Sequence, residues 1–188
     1  MPDLKPITAL GGDKPRRLRH GALDLKENSG LALAAVALRR GTPKPAPFGL
    51  DLPGPGAWTP SGEVAAFWTG PDQWMIEGLD RADTDFTAEV MNFCPDCSVT
   101  EQTDGFVAFE LRSSSGEAPI LQLMAKLVNI DPTRFPSGSA TRTGLEHMSV
   151  FVIRRTAQHI AILGMRSAAA SIWHALESHI LRLEDRKP

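Results

Sequence analysis

One continuous block, residues 106–174, constrains the fold of this chain more than any other part of it. Its pattern predicts a strand, a helix, a tight Asp-Pro-x-x-Phe-Pro-x-Gly turn, three short strands and a closing helix. The block nevertheless contains no nucleophile elbow, no metal-ligand cluster and no phosphate-binding loop. A block that specifies its fold so fully, without chemistry of its own, indicates a protein that supports chemistry done elsewhere.

Length and composition favour one ordinary globular unit. The 188 residues suit one domain, or two small halves that share a core. The formal net charge of -2 argues against a general nucleic-acid or anionic-membrane partner. Two cysteines make no disulfide scaffold, so a reducing compartment fits. The first residues lack the apolar stretch of a signal peptide, and the longest apolar run, residues 30–38, is too short to cross a bilayer. We therefore expect a cytoplasmic protein.

The chain divides into an arm and a folded region. Residues 1–20 mix Pro and Gly with three arginines and predict a flexible N-terminal arm. Residues 21–184 predict a single α+β domain of two similar halves, about 21–101 and 102–184. Within the first half, residues 42–60 are rich in Pro and Gly and predict a long loop suited to an interface.

Strand and helix periods place the main elements. Residues 31–39 form a compact apolar run that favours a strand, although a short helix stays open. Two hairpins are predicted, one joining 64–68 to 73–77 and one joining 98–101 to 106–111. Helices are predicted from three apolar stripes, and the middle one begins with a capping box at Ser114-x-x-Glu117. The stripes are Phe86, Val90 and Phe93; Ile120, Leu123, Met124 and Leu127; and Ile172, Leu176, Ile180 and Leu183. Hairpins separated by helices indicate an α+β fold with mixed or antiparallel sheets.

The Cys94-Pro-Asp-Cys97 motif is the strongest match to a chemical signature. A thioredoxin-like pair needs its first cysteine at a helix N-terminus, whereas Cys94 follows the Phe86 stripe and so lies at a helix C-terminus. A zinc site would need two more ligands, for which His147 and His159 are the available histidines. A turn with two ordinary thiols is the preferred interpretation.

Other candidates carry weaker signals. The five histidines, at 20, 147, 159, 174 and 179, show no His-x-x-x-His pairing and suggest surface or supporting polar groups. The run 113–116, Ser-Ser-Ser-Gly beside Arg112, could bind a phosphate at a helix N-terminus, but helix capping explains it. Trp68 and Trp74, with Met75, could stack on a planar ligand such as a pterin, although Trp in a strand usually belongs to the core. We therefore predict no catalytic, cofactor-binding or metal-binding residues in this chain.

Several motifs resemble one family. The stretch Phe67-Trp68-Thr-Gly70-Pro71-Asp72-Gln73-Trp74 resembles the hairpin of the gamma subunit of heterotetrameric sarcosine oxidase. The helix that follows Ser115-Gly116 and the turn from Asp131 to Gly138 are similar to that family too. So are Glu146-His147-Met148, Ser167 and Trp173-His174, although Glu146 stands where the family usually has glycine.

The resemblance implies both a fold and a role. The family is related to the folate-binding domains of aminomethyltransferase T-protein, built from duplicated strand-helix units. Its assembled enzyme oxidises sarcosine to glycine, makes hydrogen peroxide and passes the one-carbon unit to tetrahydrofolate. The resemblance places FAD, FMN, NAD and folate in the alpha and beta subunits and zinc in delta, and none of these in gamma.

Three hypotheses follow from the sequence. The first is a non-catalytic structural subunit of a multimeric flavin-dependent sarcosine oxidase with alpha, beta and delta partners, without nucleic acid or membrane. The second is a stand-alone folate-binding or aminomethyl-transfer protein that uses Trp68, Trp74 and an acid such as Asp131 or Glu101. The third is a thiol or zinc protein centred on Cys94 and Cys97.

Overall fold

The computed structural model describes residues 6–184, which form eleven strands in two antiparallel sheets together with three α-helices. In chain order the strands are β1 (Arg17–His20), β2 (Leu23–Glu27), β3 (Ala32–Leu38), β4 (Trp58–Ser61), β5 (Val64–Gly70), β6 (Gln73–Gly78), β7 (Cys97–Glu101), β8 (Phe106–Ser113), β9 (Ser139–Leu145), β10 (Met148–Thr156) and β11 (His159–Met165). The α-helices are α1 (Phe86–Phe93), α2 (Ala118–Leu127) and α3 (Ala169–Glu184). The α+β class predicted from the sequence is confirmed, with antiparallel sheets.

The two sheets have corresponding strand orders. The larger sheet runs β1-β2-β8-β11-β10-β9, and the smaller sheet runs β4-β5-β6-β3-β7. Starting from the edge strand β9, the larger sheet runs β9-β10-β11-β8-β2, which corresponds to β4-β5-β6-β3-β7 in the smaller sheet. Strand β2 therefore occupies the position in the larger sheet that β7 occupies in the smaller one. Strands β1 and β2 therefore join the second half of the chain, so the predicted halves are not separate in space. Whether the halves are copies of one unit stays a prediction.

Three apolar layers hold the sheets and helices together. Helices α2 and α3 cover the outer face of the larger sheet, where Phe109, Ile120 and Trp173 are buried in one cluster. Helix α1 covers the outer face of the smaller sheet. Between the sheets lies a third cluster, built from both of them: Leu33, Phe67, Met75, Ala108, Ile153 and Leu163. Alternate residues of each strand serve opposite layers, as period-2 packing requires.

Several predicted elements are confirmed. Residues 31–39 contain strand β3, and β5 and β6 form the predicted hairpin, with Trp68 opposite Trp74. The stripes of α2 and α3 are buried except for Leu183, which is partly exposed. In α1, Phe86 and Val90 are buried, but Phe93 is 47% exposed and contacts the Phe48 ring at a centroid distance of 4.5 Å.

The segment predicted as an arm is partly structured, which corrects its boundary. Residues 1–5 lie outside the described part of the chain, but β1 pairs with β2 along its whole length. The carboxylate of Glu27, only 1% exposed, accepts hydrogen bonds from the backbone N–H groups of Leu10 and Arg16, both at 3.1 Å. A buried acceptor therefore ties residues 10–16 to the sheet, which the Pro- and Gly-rich composition did not reveal.

The Pro- and Gly-rich segment 42–60 packs on its own chain. Leu50 and Leu52 are 2% and 1% exposed and belong to the cluster beneath α1. The Trp74 indole donates to the backbone oxygen of Pro53 at 2.7 Å. The segment also ends in strand β4, which the sequence did not predict. Phe48, Leu50 and Leu52 thus cover the outer face of the smaller sheet.

Two local predictions were wrong. Strands β7 and β8 are not a hairpin, since they belong to different sheets, and the 3-10 turn Thr103–Gly105 carries the chain between them. The Ser114 capping box is absent, because α2 begins at Ala118. The Glu117 carboxylate instead pairs with the guanidinium of Arg154, which is 4% exposed and donates to the Phe135 backbone oxygen at 2.8 Å. Arg154 therefore links the start of α2 to the Asp131 turn.

Glu146 takes a backbone conformation that favours glycine. Its φ of 52° lies in the left-handed region, where L side chains are strained. Glu146 lies in the turn between β9 and β10, where this conformation reverses the chain.

Candidate functional site

A cluster of charged side chains lies between the sheets, at one end of their shared apolar layer. Glu77 comes from β6 of the smaller sheet, while Glu110, Arg155 and His159 come from β8, β10 and β11 of the larger sheet. Each of these side chains points towards the other sheet, because side chains alternate along a strand and adjacent residues such as Ile76, Phe109 and Ile160 pack on the outer faces. The cluster therefore joins the two sheets by charge where the apolar contacts end.

Arg155 is the centre of this cluster. Its Nη1 and Nη2 donate to the two oxygens of Glu77, each at 2.9 Å, in the side-by-side geometry that suits a guanidinium and a carboxylate. Its Nε and Nη2 also donate to Glu110, both at 3.3 Å. The guanidinium lies 5.2 Å from the centre of the Trp58 ring, and the Trp58 indole donates to Glu77 at 2.7 Å. The hydrogen bonds from Arg155 to Glu77 cross between the sheets, whereas the hydrogen bond from Trp58 to Glu77 lies within the smaller sheet.

His159 and Asn28 complete the surroundings of Glu110. The Nε2 atom of His159 lies 2.6 Å from Glu110 Oε2, and Asn28 donates to Oε1 at 3.2 Å. Burial alone would raise the pKa of Glu110, but the hydrogen bond from His159 and the Arg155 charge outweigh it and lower the pKa to about 2. Burial likewise acts to lower the pKa of Arg155, and the charges of Glu77 and Glu110 reverse this and raise it. The contact between Glu110 and Arg155 is therefore an ion pair near neutral pH.

An open cleft of about 380 Å³ lies beside the cluster. Its floor includes Glu77, Glu110 and Arg155, and its walls include Leu31 and Trp58. Further lining residues come from β1, β2 and β8 on one side, and from the region of the β4–β5 turn and the end of β6 on the other. They include Arg17, Asp24, Lys26, Arg112, Pro60, Gly62, Glu63, Leu79 and Asp80. The volume is in the range of small-molecule sites, and polar groups converge on its floor. This cleft is the candidate functional site.

The sequence-level candidates lie elsewhere, with one exception. Cys94 ends α1 and Cys97 begins β7, as predicted, and both are buried. Burial raises the pKa of the Cys94 thiol to about 11, with a smaller contribution from Cys97, which opposes reactivity. Among the described residues, no group of three or more His, Cys, Asp or Glu side chains is placed to hold a metal ion. Only His159, of the five histidines, reaches the charged cluster.

The proposed stacking and capping residues also have other surroundings. Trp74 is 5% exposed and hydrogen-bonded to the 42–60 segment, so its ring is part of the core and offers no open face. Glu101 accepts from the Thr103 backbone and hydroxyl of Thr87, and Asp131 accepts from Thr133. These carboxylates stabilise local turns, and none of them lies in the cleft.

Sequence reasoning missed Glu77, Glu110 and Arg155. A signal was present, because each of them comes at the end of a largely apolar strand segment, 73–77, 106–110 or 151–155, two positions after a residue that points inward. A charged residue in a core-facing phase indicates a buried partner. The partners could not be identified, since Glu77 and Arg155 are 78 positions apart.

Comparison with known proteins places this geometry in a known fold. No family model matches the chain. No curated protein matches its sequence either. A chain in the structure of heterotetrameric sarcosine oxidase from Corynebacterium sp. U-96, in complex with pyrrole 2-carboxylate, is similar with a TM-score of 0.75 and 17% sequence identity. The match covers 90% of this chain and 90% of that chain.

The protein has the fold of a sarcosine oxidase chain. Aminomethyltransferase T of the glycine cleavage system from Bartonella henselae is also similar, with a TM-score of 0.58 and 15% identity. That match covers 81% of this chain but 44% of the other, so this chain spans less than half of the length of aminomethyltransferase T. Within residues 6–184, no helix is long and apolar enough to span a membrane.

Proposed function

We propose that this chain is a non-catalytic structural subunit, of the gamma type, in a multimeric flavin-dependent sarcosine oxidase located in the cytoplasm. The observation that carries the proposal is the reciprocal coverage: a chain of a heterotetrameric sarcosine oxidase matches over 90% of both lengths. The aminomethyltransferase, by contrast, contains this fold as less than half of a longer chain. A match that covers nine tenths of this chain and of the sarcosine oxidase chain supports a subunit role.

The chemistry of the charged cluster supports a structural role as well. Glu110, with its pKa lowered to about 2, stays a carboxylate at neutral pH and is a poor proton donor there. The guanidinium of Arg155 donates hydrogen bonds to Glu77 of the smaller sheet and Glu110 of the larger sheet, so it holds the two sheets together. A general acid or base works best with a pKa near the operating pH, and the cluster moves Glu110 away from it.

The reaction itself is assigned to the partners under this proposal. The alpha and beta subunits would hold FAD, FMN, NAD and tetrahydrofolate, and delta would hold zinc, while this chain contributes surface and stability. A standard interface buries about 800 Å² per partner. The described residues expose 10443 Å², so contacts with more than one subunit leave most of that surface free.

The test is co-expression of this chain with alpha, beta and delta chains from the same source, followed by size exclusion. We expect the chain to co-elute with flavin absorbance in fixed stoichiometry, and sarcosine-dependent peroxide formation to require its presence for stability of the complex. A matched preparation without this chain serves as the control. Elution of this chain away from all three partners contradicts the proposal.

A second candidate function is a stand-alone folate-binding protein. The observation in its favour is the open cleft of about 380 Å³ in a fold that aminomethyltransferase T also contains. Trp68 and Trp74 cannot form the site together, because the Trp74 ring is buried, so Trp58 at the cleft would have to serve. Titration calorimetry of the purified chain with tetrahydrofolate separates the two candidates. Micromolar binding supports the second, and the absence of heat supports the first.

A further inference from the structure

Four basic side chains form a shelf on the part of the larger sheet that borders the cleft. The basic shelf consists of Arg17 and Arg19 on β1, Lys26 on β2 and Arg112 on β8. All four are on the inner face of that sheet, because the residues that alternate with them, such as Leu25 and Leu111, pack on the outer cluster. In a chain with a formal net charge of -2, four neighbouring cations on one face form a distinct local excess.

Within residues 6–184, Asp24 is the carboxylate that forms ion pairs with the shelf. Asp24 accepts from the guanidinium of Arg17, with Nε at 2.7 Å, and lies 3.5 Å from Arg19. The side chains of Lys26 and Arg112 form no ion pair within the described residues. Lys26 also lies directly opposite Arg17 in the β1–β2 register. Like charges in directly opposed positions destabilise a sheet, so this arrangement has a cost that an anion would remove.

Among the described residues, the other carboxylates at the cleft form no ion pair with the basic shelf. Glu77 and Glu110 are engaged by Arg155, and Glu63 lies 3.7 Å from Arg81. Asp80 lies on the opposite wall, at the end of β6. On the wall formed by β1, β2 and β8, four cations therefore face two carboxylates, Asp24 and Glu110, which leaves an excess of positive charge.

Register brings Lys26 and Arg112 within reach of one ligand group. Lys26 is opposite Glu110, and Asp24 is opposite Arg112, so Lys26 and Arg112 are diagonal neighbours on adjacent strands. Such neighbours have Cα atoms about 7–8 Å apart, a distance that one carboxylate or phosphate can bridge between long side chains. Both residues line the cleft, whose apolar wall includes Leu31 and Pro60.

We propose that the cleft binds a small organic anion, with its carboxylate or phosphate group between Lys26 and Arg112 and its carbon frame against Leu31 and Pro60. The cleft volume of about 380 Å³ limits the ligand to the size of a metabolite. The site is formed within this chain alone, so it does not depend on assembly with other subunits.

The test is titration calorimetry of the full chain with two probes, succinate and inorganic phosphate, at low ionic strength. We expect saturable binding of at least one probe, and the better probe identifies the anionic group. Arg112→Met and Lys26→Met should each weaken that binding by about tenfold or more, since a charge-assisted hydrogen bond is lost. Arg112→Lys, which keeps the charge, should retain more affinity than Arg112→Met.

Two variants provide matched controls. Arg40→Met and Lys126→Met remove the same side-chain types from exposed positions outside the cleft and should leave affinity unchanged. Lys26 and Arg112 are both exposed and form no ion pair with another described residue, so thermal melts of both shelf variants should match the parent. The proposal is overturned if neither probe binds saturably, or if the shelf variants bind as tightly as the controls.

Discussion

Arg155→Met offers the sharpest test of the contact between the sheets. The substitution keeps an unbranched apolar side chain of similar length and removes four hydrogen bonds to Glu77 and Glu110. The side chains of Glu77 and Glu110 are 2% and 12% exposed, so two carboxylates would be left in a poorly solvated place. Breaking a buried ion pair in this way costs about 3–5 kcal/mol. For a chain of this size, that corresponds to a fall in Tm of roughly 6–20 °C.

A double-mutant cycle with Glu77→Gln isolates the contact. Gln keeps an acceptor for the Trp58 indole but removes the charge, so the double variant should be more stable than the sum of the two single losses by about 2 kcal/mol. Urea unfolding followed by tryptophan fluorescence measures all four proteins, with the exposed Arg40→Met as a control that should stay within about 0.5 kcal/mol of the parent. A loss below about 1 kcal/mol for Arg155→Met, or strict additivity, refutes the proposed role of the cluster.

Three further predictions concern packing, pH and thiol chemistry. Gly78→Ala should destabilise by about 1–3 kcal/mol, because the added Cβ would lie 2.7 Å from the buried Phe86 ring, whereas Gly54→Ala meets no atom within 4 Å and should be nearly neutral in thermal melts. The pKa of Glu110 is about 2 in the folded protein, below its ordinary 4.5, so ionised Glu110 stabilises the fold fully above pH 4.5 and this stabilisation is lost as pH falls from 4.5 towards 2. The stabilisation is on the order of 3 kcal/mol. Glu110→Gln should therefore flatten this part of the curve of unfolding free energy against pH. With its thiol pKa raised to about 11, Cys94 should resist iodoacetamide in the folded protein at mildly alkaline pH and react after unfolding, as read by mass spectrometry; equal rates would contradict its burial.

Local elements were predictable because local periodicity determines them. Strand β3, the β5–β6 hairpin and the apolar face of α2 follow from residues adjacent in the chain, and all three are confirmed. The predicted β7–β8 hairpin was wrong because a short turn looks the same whether it joins neighbouring strands or carries the chain to a second sheet. Thr103 decides the outcome, since its hydroxyl accepts from the backbone N–H of Leu33 at 3.0 Å, a contact of sequence separation 70.

The candidate site was harder to predict than the fold. Its members are Glu77, Glu110, Arg155 and His159, which come from four strands of two sheets and meet only after both sheets have formed. Sequence reasoning directed attention to the Cys94 motif instead, since recognisable spacing is a local property. The charged residues in core-facing phases were the available signal, and they predict burial without identifying a partner.

The most direct test of the subunit role is to purify this chain through an affinity tag from its source cells and determine the native mass and the flavin spectrum of the product. We expect a complex with fixed stoichiometry that contains flavin-bearing partners and oxidises sarcosine. Recovery of the chain alone, without flavin absorbance, under conditions that preserve protein complexes, would contradict it.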